Sequence, residues 1–135
     1  MAAPKESWVS RSTKAKKPWG ETTVWHAFQT IHGKVITIRE GERTSLKYHN
    51  LKNEVFFVLR GTVKVTHGNS KTLKNEEKNP YKSCILKSGD IFIVQSECPY
   101  RLEALEESEI IEVGDRSDNE PVMLEDDYGR AKKES

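Results

Sequence analysis

Gly41-Glu42-Arg43-Thr44-Ser45-Leu46-Lys47-Tyr48-His49-Asn50-Leu51-Lys52-Asn53-Glu54-Val55-Phe56-Phe57-Val58-Leu59-Arg60-Gly61 is the stretch that decides the fold. Residues 54–59 are apolar except at the first position, which reads as a buried strand. Lys47 and His49 stand two apart and therefore share one face of the strand before it. A turn at residues 50–53 brings the chain back, so Glu54 opens the returning strand and aims toward the same interior. A carboxylate and an imidazole are costly to bury without partners. Three explanations stay open at this point: a bound metal, a polar ligand, or a salt bridge. In the last, Lys47 pairs with Glu54 and His49 is a satisfied core residue.

Outward from this stretch the chain reads as short strands at 25–28, 35–39, 45–49, 55–60, 63–67, 84–86, 91–94, 100–102 and 110–113, rich in Val, Ile, Phe and Thr. Gly33, Gly41, Gly61, Gly68 and Gly89 punctuate them. Arg60-Gly61-Thr62 suits a tight hairpin turn. Residues 67–82 form a long polar loop with Asn79-Pro80 as a turn signal. Residues 120–128 suit a short terminal helix with Pro121 in its first turn. Many strands without interleaved helices argue for an all-β single domain, an antiparallel barrel or a jelly roll. Its mouth is a common place for a ligand.

Residues 1–17 are polar and basic and read as a flexible arm, in which Trp8 and Val9 suit a short edge strand. The folded domain spans 18–130, and 131–135 is a polar tail. Lys plus Arg number 22 against 21 Asp plus Glu in 135 residues, a net charge of +1 that calls for neither nucleic acid nor an acidic membrane as partner. No apolar run approaches the ~20 residues of a bilayer span, and no secretory h-region opens the chain. Cys84 and Cys98 are too few for a disulfide framework and read as reduced thiols in a cytoplasmic setting.

The opening stretch resembles the first motif of the cupins: Gly, five residues, His, one residue, His, three or four residues, Glu, six residues, Gly. Gly41, His49, Glu54 and Gly61 fall on it, with Lys47 at the first His position. Residues 89–103 resemble the second motif, Gly, five residues, Pro, one residue, Gly, two residues, His. Gly89 fits; Gln95, Glu97 and Tyr100 replace the Pro, Gly and His. The resemblance implies the double-stranded β-helix fold and a divalent metal, zinc first among them, with His49 and Glu54 as an incomplete ligand set. An ammonium at Lys47 and a phenol at Tyr100 are poor ligands beside an imidazole, so the absence of any metal is the companion expectation.

Beyond the general pattern, the chain is similar to type II mannose-6-phosphate isomerases, including the cupin domain that follows mannose-1-phosphate guanylyltransferase. Lys17-Pro18-Trp19-Gly20, Gly41 through Leu46, Tyr48-His49, Gly61 through Thr66, Tyr100 through Glu103, and Glu125-Asp126-Asp127-Tyr128-Gly129-Arg130 carry this likeness. In that family the metal positions read Gln, His, Glu, His, and Lys47 and Tyr100 stand at the first and last.

The resemblance implies a sugar phosphate as ligand and interconversion of mannose 6-phosphate and fructose 6-phosphate. Such isomerisation needs a base near C2, a polarising group at the carbonyl and cations for the phosphate. Lys47, His49, Glu54 and Tyr100 are the catalytic candidates, with Lys47 as electrophile in the metal's stead. Arg101, Arg130, Lys17 and Arg43 are the candidates for binding the substrate. The competing function is a non-catalytic cupin that holds a sugar phosphate or nucleotide sugar. A homodimer through exposed edge strands is expected.

Overall fold

A computed structural model describes residues 3–28, 30–116 and 120–130, with residues 26 and 27 described by backbone alone. Eleven strands and no helix are present among them: β1 (Thr13–Lys17), β2 (Gly20–Phe28), β3 (Ile31–Ile38), β4 (Leu46–Tyr48), β5 (Glu54–Arg60), β6 (Thr62–His67), β7 (Lys82–Lys87), β8 (Ile91–Val94), β9 (Tyr100–Ala104), β10 (Ser108–Gly114) and β11 (Val122–Glu125). They form two sheets in the orders β1-β2-β3-β10-β5-β8 and β11-β4-β9-β6-β7. All pairings are antiparallel. This is the jelly roll, one of the two architectures that the strand-rich pattern allows and the one that the cupin resemblance implies.

All nine strands read from the sequence are present, and two more flank them. Residues 13–17, read within the basic arm, form β1 along the edge of β2, with every side chain exposed. Residues 122–125, read within a terminal helix, form β11 on β4. Pairing with an open sheet edge outweighs the local helix signal of Pro121, because the edge supplies hydrogen bonds that an isolated nine-residue helix lacks. Trp8 lies outside any strand and packs edge-to-face on Phe28 at 5.2 Å between centroids. The tail at 131–135 and the side chain of His26 lie outside the described residues.

The core fills the space between the sheets with Ile36, Ile38, Phe56, Val58, Val63, Val65, Phe92, Val94, Leu102 and Ile110 among others. The run read as a buried strand is buried on one face only. Glu54, Phe56 and Val58 point inward, while Val55, Phe57 and Leu59 are exposed. Strand period two places them so.

The turn at Gly61 is not a hairpin. β5 is already paired on both edges, to β10 and β8, and β6 crosses into the second sheet to pair with β7 and β9. Gly61 has φ of +98°, and a Cβ there would lie 2.1 Å from Ser108 Oγ. Both the backbone angle and the close approach demand glycine.

Candidate functional site

β4 and β9 set Lys47 opposite Tyr100, so their side chains share the inner face. The Lys47 ammonium stands over the Tyr100 ring, 5.7 Å from its centroid. Tyr100, 1% exposed, donates its hydroxyl hydrogen to Glu54 Oε1 at 2.7 Å. His49 Nε2 lies 3.3 Å from that same oxygen. Four residues singled out by the sequence therefore converge: Lys47, His49, Glu54 and Tyr100.

Lys52, Lys34 and Glu112, which the sequence reading missed, complete the group together with His32. Lys52 Nζ stands 3.3 Å from Glu54 Oε2 and 3.7 Å from Glu112 Oε2. Lys34 Nζ is 3.5 Å and His32 Nε2 3.7 Å from that Glu112 oxygen. Register explains the assembly. Lys34, Glu112 and Phe56 form one row across β3, β10 and β5, and His32, Gly114 and Glu54 form the next. Gly114 leaves the second row without a central side chain, and the Lys52 stem fills that gap: a Cβ on Gly114 would lie 2.4 Å from Lys52 Cε. The inward alternation Ser108, Ile110, Glu112, Gly114 along β10 was the available signal for Glu112. The salt bridge weighed for Lys47 and Glu54 exists, but with Lys52 in the lysine's place.

Burial pushes the Glu54 carboxyl up, yet the His49 hydrogen bond, the Lys52 and His49 charges and the Tyr100 hydroxyl outweigh it and hold it well below the usual range. Tyr100 is pushed well up, by burial first and then by the Glu54 and Glu112 charges. Burial lowers Lys47 to about 8, Lys34 and Arg130 reinforce that, and Glu112 and Glu54 oppose it. Lys17 is likewise lowered, by desolvation and then by Lys34 and Arg130. Lys17 and Lys47 thus each stand in the field of Lys34 and Arg130, a cationic wall.

Of the other predicted substrate cations, Arg101 and Arg43 serve the chain itself, and Arg130 adds an ion pair within the chain to its place in that wall. Arg101, 5% exposed, donates to the Thr44 carbonyl at 3.1 Å and reaches Asp127 at 3.5 Å and Glu125 at 3.6 Å. Arg43 forms a bidentate pair with Asp127 at 2.5 and 2.9 Å. Arg130 pairs with Asp126 at 2.9 and 3.0 Å and lies over the Tyr128 ring. The Arg43 and Arg101 pairs tie residues 125–127 to the rest of the barrel.

A family model described as mannose-6-phosphate isomerase C-terminal matches residues 5–116. The chain belongs to that family, within the cupins. Among solved structures, KdgF from Halomonas sp. is similar at a TM-score of 0.64 and 16% identity, covering 78% of this chain and 88% of its own. Oxalate decarboxylase from Lactobacillus farciminis, in its formate complex, gives 0.70 and 18% over 84% of this chain and 33% of its own. Salicylate 1,2-dioxygenase from Pseudoaminobacter salicylatoxidans with gentisate gives 0.61 and 19% over 76% and 26%. At these identities the likeness shows the fold alone. Comparison with curated proteins returns no match.

The metal that the resemblance implies does not fit this donor set. Among the described residues no three His, Cys, Asp or Glu side chains are grouped so as to hold an ion. Glu54 is engaged by Tyr100 and His49 on one oxygen and faces an ammonium on the other. Lys47 and Tyr100 stand where two further ligands would be. Among the described residues no helix is long and apolar enough to cross a membrane.

Proposed function

We propose that this cupin binds a hexose phosphate in its barrel and interconverts the aldose and ketose without a resident metal. The observation that carries the reading is the cationic wall of Lys17, Lys34, Lys47 and Arg130 beside the His49–Glu54–Tyr100 group. The wall suits a phosphate dianion. In the reaction His49, oriented by Glu54, takes the proton from C2. Lys47 donates to the carbonyl oxygen as charge develops there, and an acid with a pKa of about 8 is well matched to that step near neutral pH. His49 then returns the proton to C1 on the same face, while the C2 hydroxyl gives its proton back to the neutral Lys47 amine, which forms the ketose carbonyl and resets both groups. Glu54 acts as the positioning group, since a carboxylate held so low is a weak base.

The test is turnover of mannose 6-phosphate in excess chelator. Conversion should proceed undiminished, and Lys47→Gln should lower kcat by about 10²–10⁴-fold. Loss of all activity on chelation would refute the metal-free reading.

The engagement of Glu54 by Tyr100, His49 and Lys52 favours a second reading, a binding cupin without catalysis. A melting-temperature rise on hexose phosphate without turnover would select it. We also propose that the chain works as a homodimer in the cytoplasm, the free thiols Cys84 and Cys98 according with a reducing compartment.

A further inference from the structure

Lys34, Lys47 and Lys52 all face the interior, and two of the three are committed to the fold. Lys34 Nζ lies 3.5 Å from Glu112 Oε2, and Lys52 Nζ lies 3.3 Å from Glu54 Oε2 and 3.7 Å from Glu112 Oε2. Each neutralises a buried carboxylate, and drawing it onto a ligand would strip that partner of its cation. Lys47 differs, for among the described residues it makes no ion pair within 4 Å. Its Nζ stands over the Tyr100 ring, 5.7 Å from the centroid, and the register of β4 on β9 fixes the two residues opposite each other. The ring beneath it is immobilised. Phe56 and Phe92 pack on it at 5.4 and 5.9 Å between centroids, and its hydroxyl donates to Glu54 at 2.7 Å. Lys47 itself is only half-buried, so its amine is open to a ligand that enters the barrel. A lysine held in place by a rigid aromatic face, with its nitrogen bound to nothing charged, is placed to act as a nucleophile.

We infer that Lys47 is a covalent site, a Schiff-base lysine that takes the open-chain carbonyl of a small phosphorylated ketone. The nitrogen adds to the carbonyl carbon. The carbonyl oxygen collects the two protons that the ammonium gives up and leaves as water, and a C=N bond replaces C=O. The iminium so formed carries the one positive charge that the ammonium carried. The charge at the site is therefore unchanged, and the Tyr100 face that accommodates the ammonium accommodates the iminium. Attack of water on the same carbon reverses the step and frees the lysine. An iminium pulls electrons from the neighbouring carbon more strongly than a neutral carbonyl does, so the site suits reactions that break a bond at that carbon. The phosphate on the ligand rests on the cationic wall and so on the proposed function, whereas the covalent bond is read out apart from turnover.

The probe is dihydroxyacetone phosphate, a ketone that cannot close into a ring, with cyanoborohydride to reduce the C=N bond and make the link permanent. Intact mass and peptide mapping should find one equivalent of reduced adduct, on Lys47. Exposed lysines such as Lys14 and Lys87 set the background, and labelling of Lys47 should exceed theirs by about tenfold or more, as expected for a reaction between groups already held together. Lys47→Met and Lys47→Arg, each checked for its fold by circular dichroism, should both lose the stoichiometric adduct. Absence of adduct on Lys47 under conditions that label the exposed lysines overturns the covalent site. So does adduct on Lys34 or Lys52 in its place, or an equal yield in a folded Lys47 variant. Dihydroxyacetone without the phosphate should label Lys47 less; equal labelling by the two ketones would overturn the phosphate preference while leaving the lysine assigned. Isomerase turnover without any Lys47 adduct would uphold the proposed function and overturn this inference, so the two fail separately.

Discussion

Lys47 is the interior lysine that makes no ion pair within 4 Å among the described residues, whereas Lys34 and Lys52 both rest on carboxylates. Its charge is therefore a cost to the fold, and the cost has a pH signature. The folded pKa is about 8, against about 10.4 for an exposed lysine. Between these values the unfolded chain holds more protons than the folded one, so stability rises with pH there. Below pH 8 both states are protonated and the penalty is fully present. Lys47→Met should be more stable than wild type at pH 7, and the advantage should shrink through pH 8–10 in urea titrations. A constant difference across that range would show that Lys47 is charged in the fold without penalty. Glu54 has the opposite sign. Its depressed folded pKa contributes stability that is present above about pH 4.3 and lost as pH falls below it. Glu54→Gln should therefore flatten the acid limb of the melting curve, and an unchanged limb would count against the pairing.

At the scale of elements, the turn at Gly61 and the strand β11 are where local signals and tertiary context part company. Gly61→Ala places a Cβ at a φ of +98° and against Ser108 Oγ and the Glu107 carbonyl. It should cost about 1–3 kcal/mol, measured by chemical denaturation, with wild-type stability as the refuting result. The period-two patterning made the central strands legible, because each carries its own alternation. The glycine was legible as a turn, but whether it joins neighbours or crosses between sheets depends on which edges are already taken. β1 and β11 were hidden for a similar reason: Lys-rich or Pro-led segments become strands here through a neighbouring edge, not through their own propensity. Likewise Lys47, His49, Glu54 and Tyr100 were readable as a group from two motifs, whereas Lys52 and Glu112 meet them only through the register of β5, β10 and β3. Arg43 and Arg101 were read toward a ligand because nothing in the sequence says that Asp127 returns to them. Asp127→Ala should release β11, seen as faster amide exchange at Val122 and Met123, while β9 stays protected; unaltered exchange would show that pairing with β4 alone holds the strand.

Among the described residues the two sheets end in four edge strands, and their chemistry is unequal. β1 carries Lys14, Lys16 and Lys17, and β7 begins and ends in Lys82 and Lys87, the charges by which edges resist pairing. β11 is short and its register on β4 is broken between Met123 and Glu125. β8 reads Ile-Phe-Ile-Val, has no charge and ends the six-stranded sheet. Beside it, Val55, Phe57, Leu59, Ile91, Ile93 and Val113 present an exposed apolar face on β5, β8 and β10. Contiguous apolar surface of this kind marks an interaction site. We propose a second copy as the occupant: two β8 strands related by a two-fold axis would run antiparallel and extend one sheet into the next, bringing each apolar face alongside its mate. With a net charge of +1 the copies do not repel appreciably. Sedimentation velocity at micromolar concentration should give twice the chain mass. Ile93 is 64% exposed, so Ile93→Lys should leave the melting temperature of the barrel nearly intact while shifting the species to monomer. A wild-type monomer at all accessible concentrations would refute the pairing, and a dimer indifferent to Ile93→Lys would move the interface away from β8.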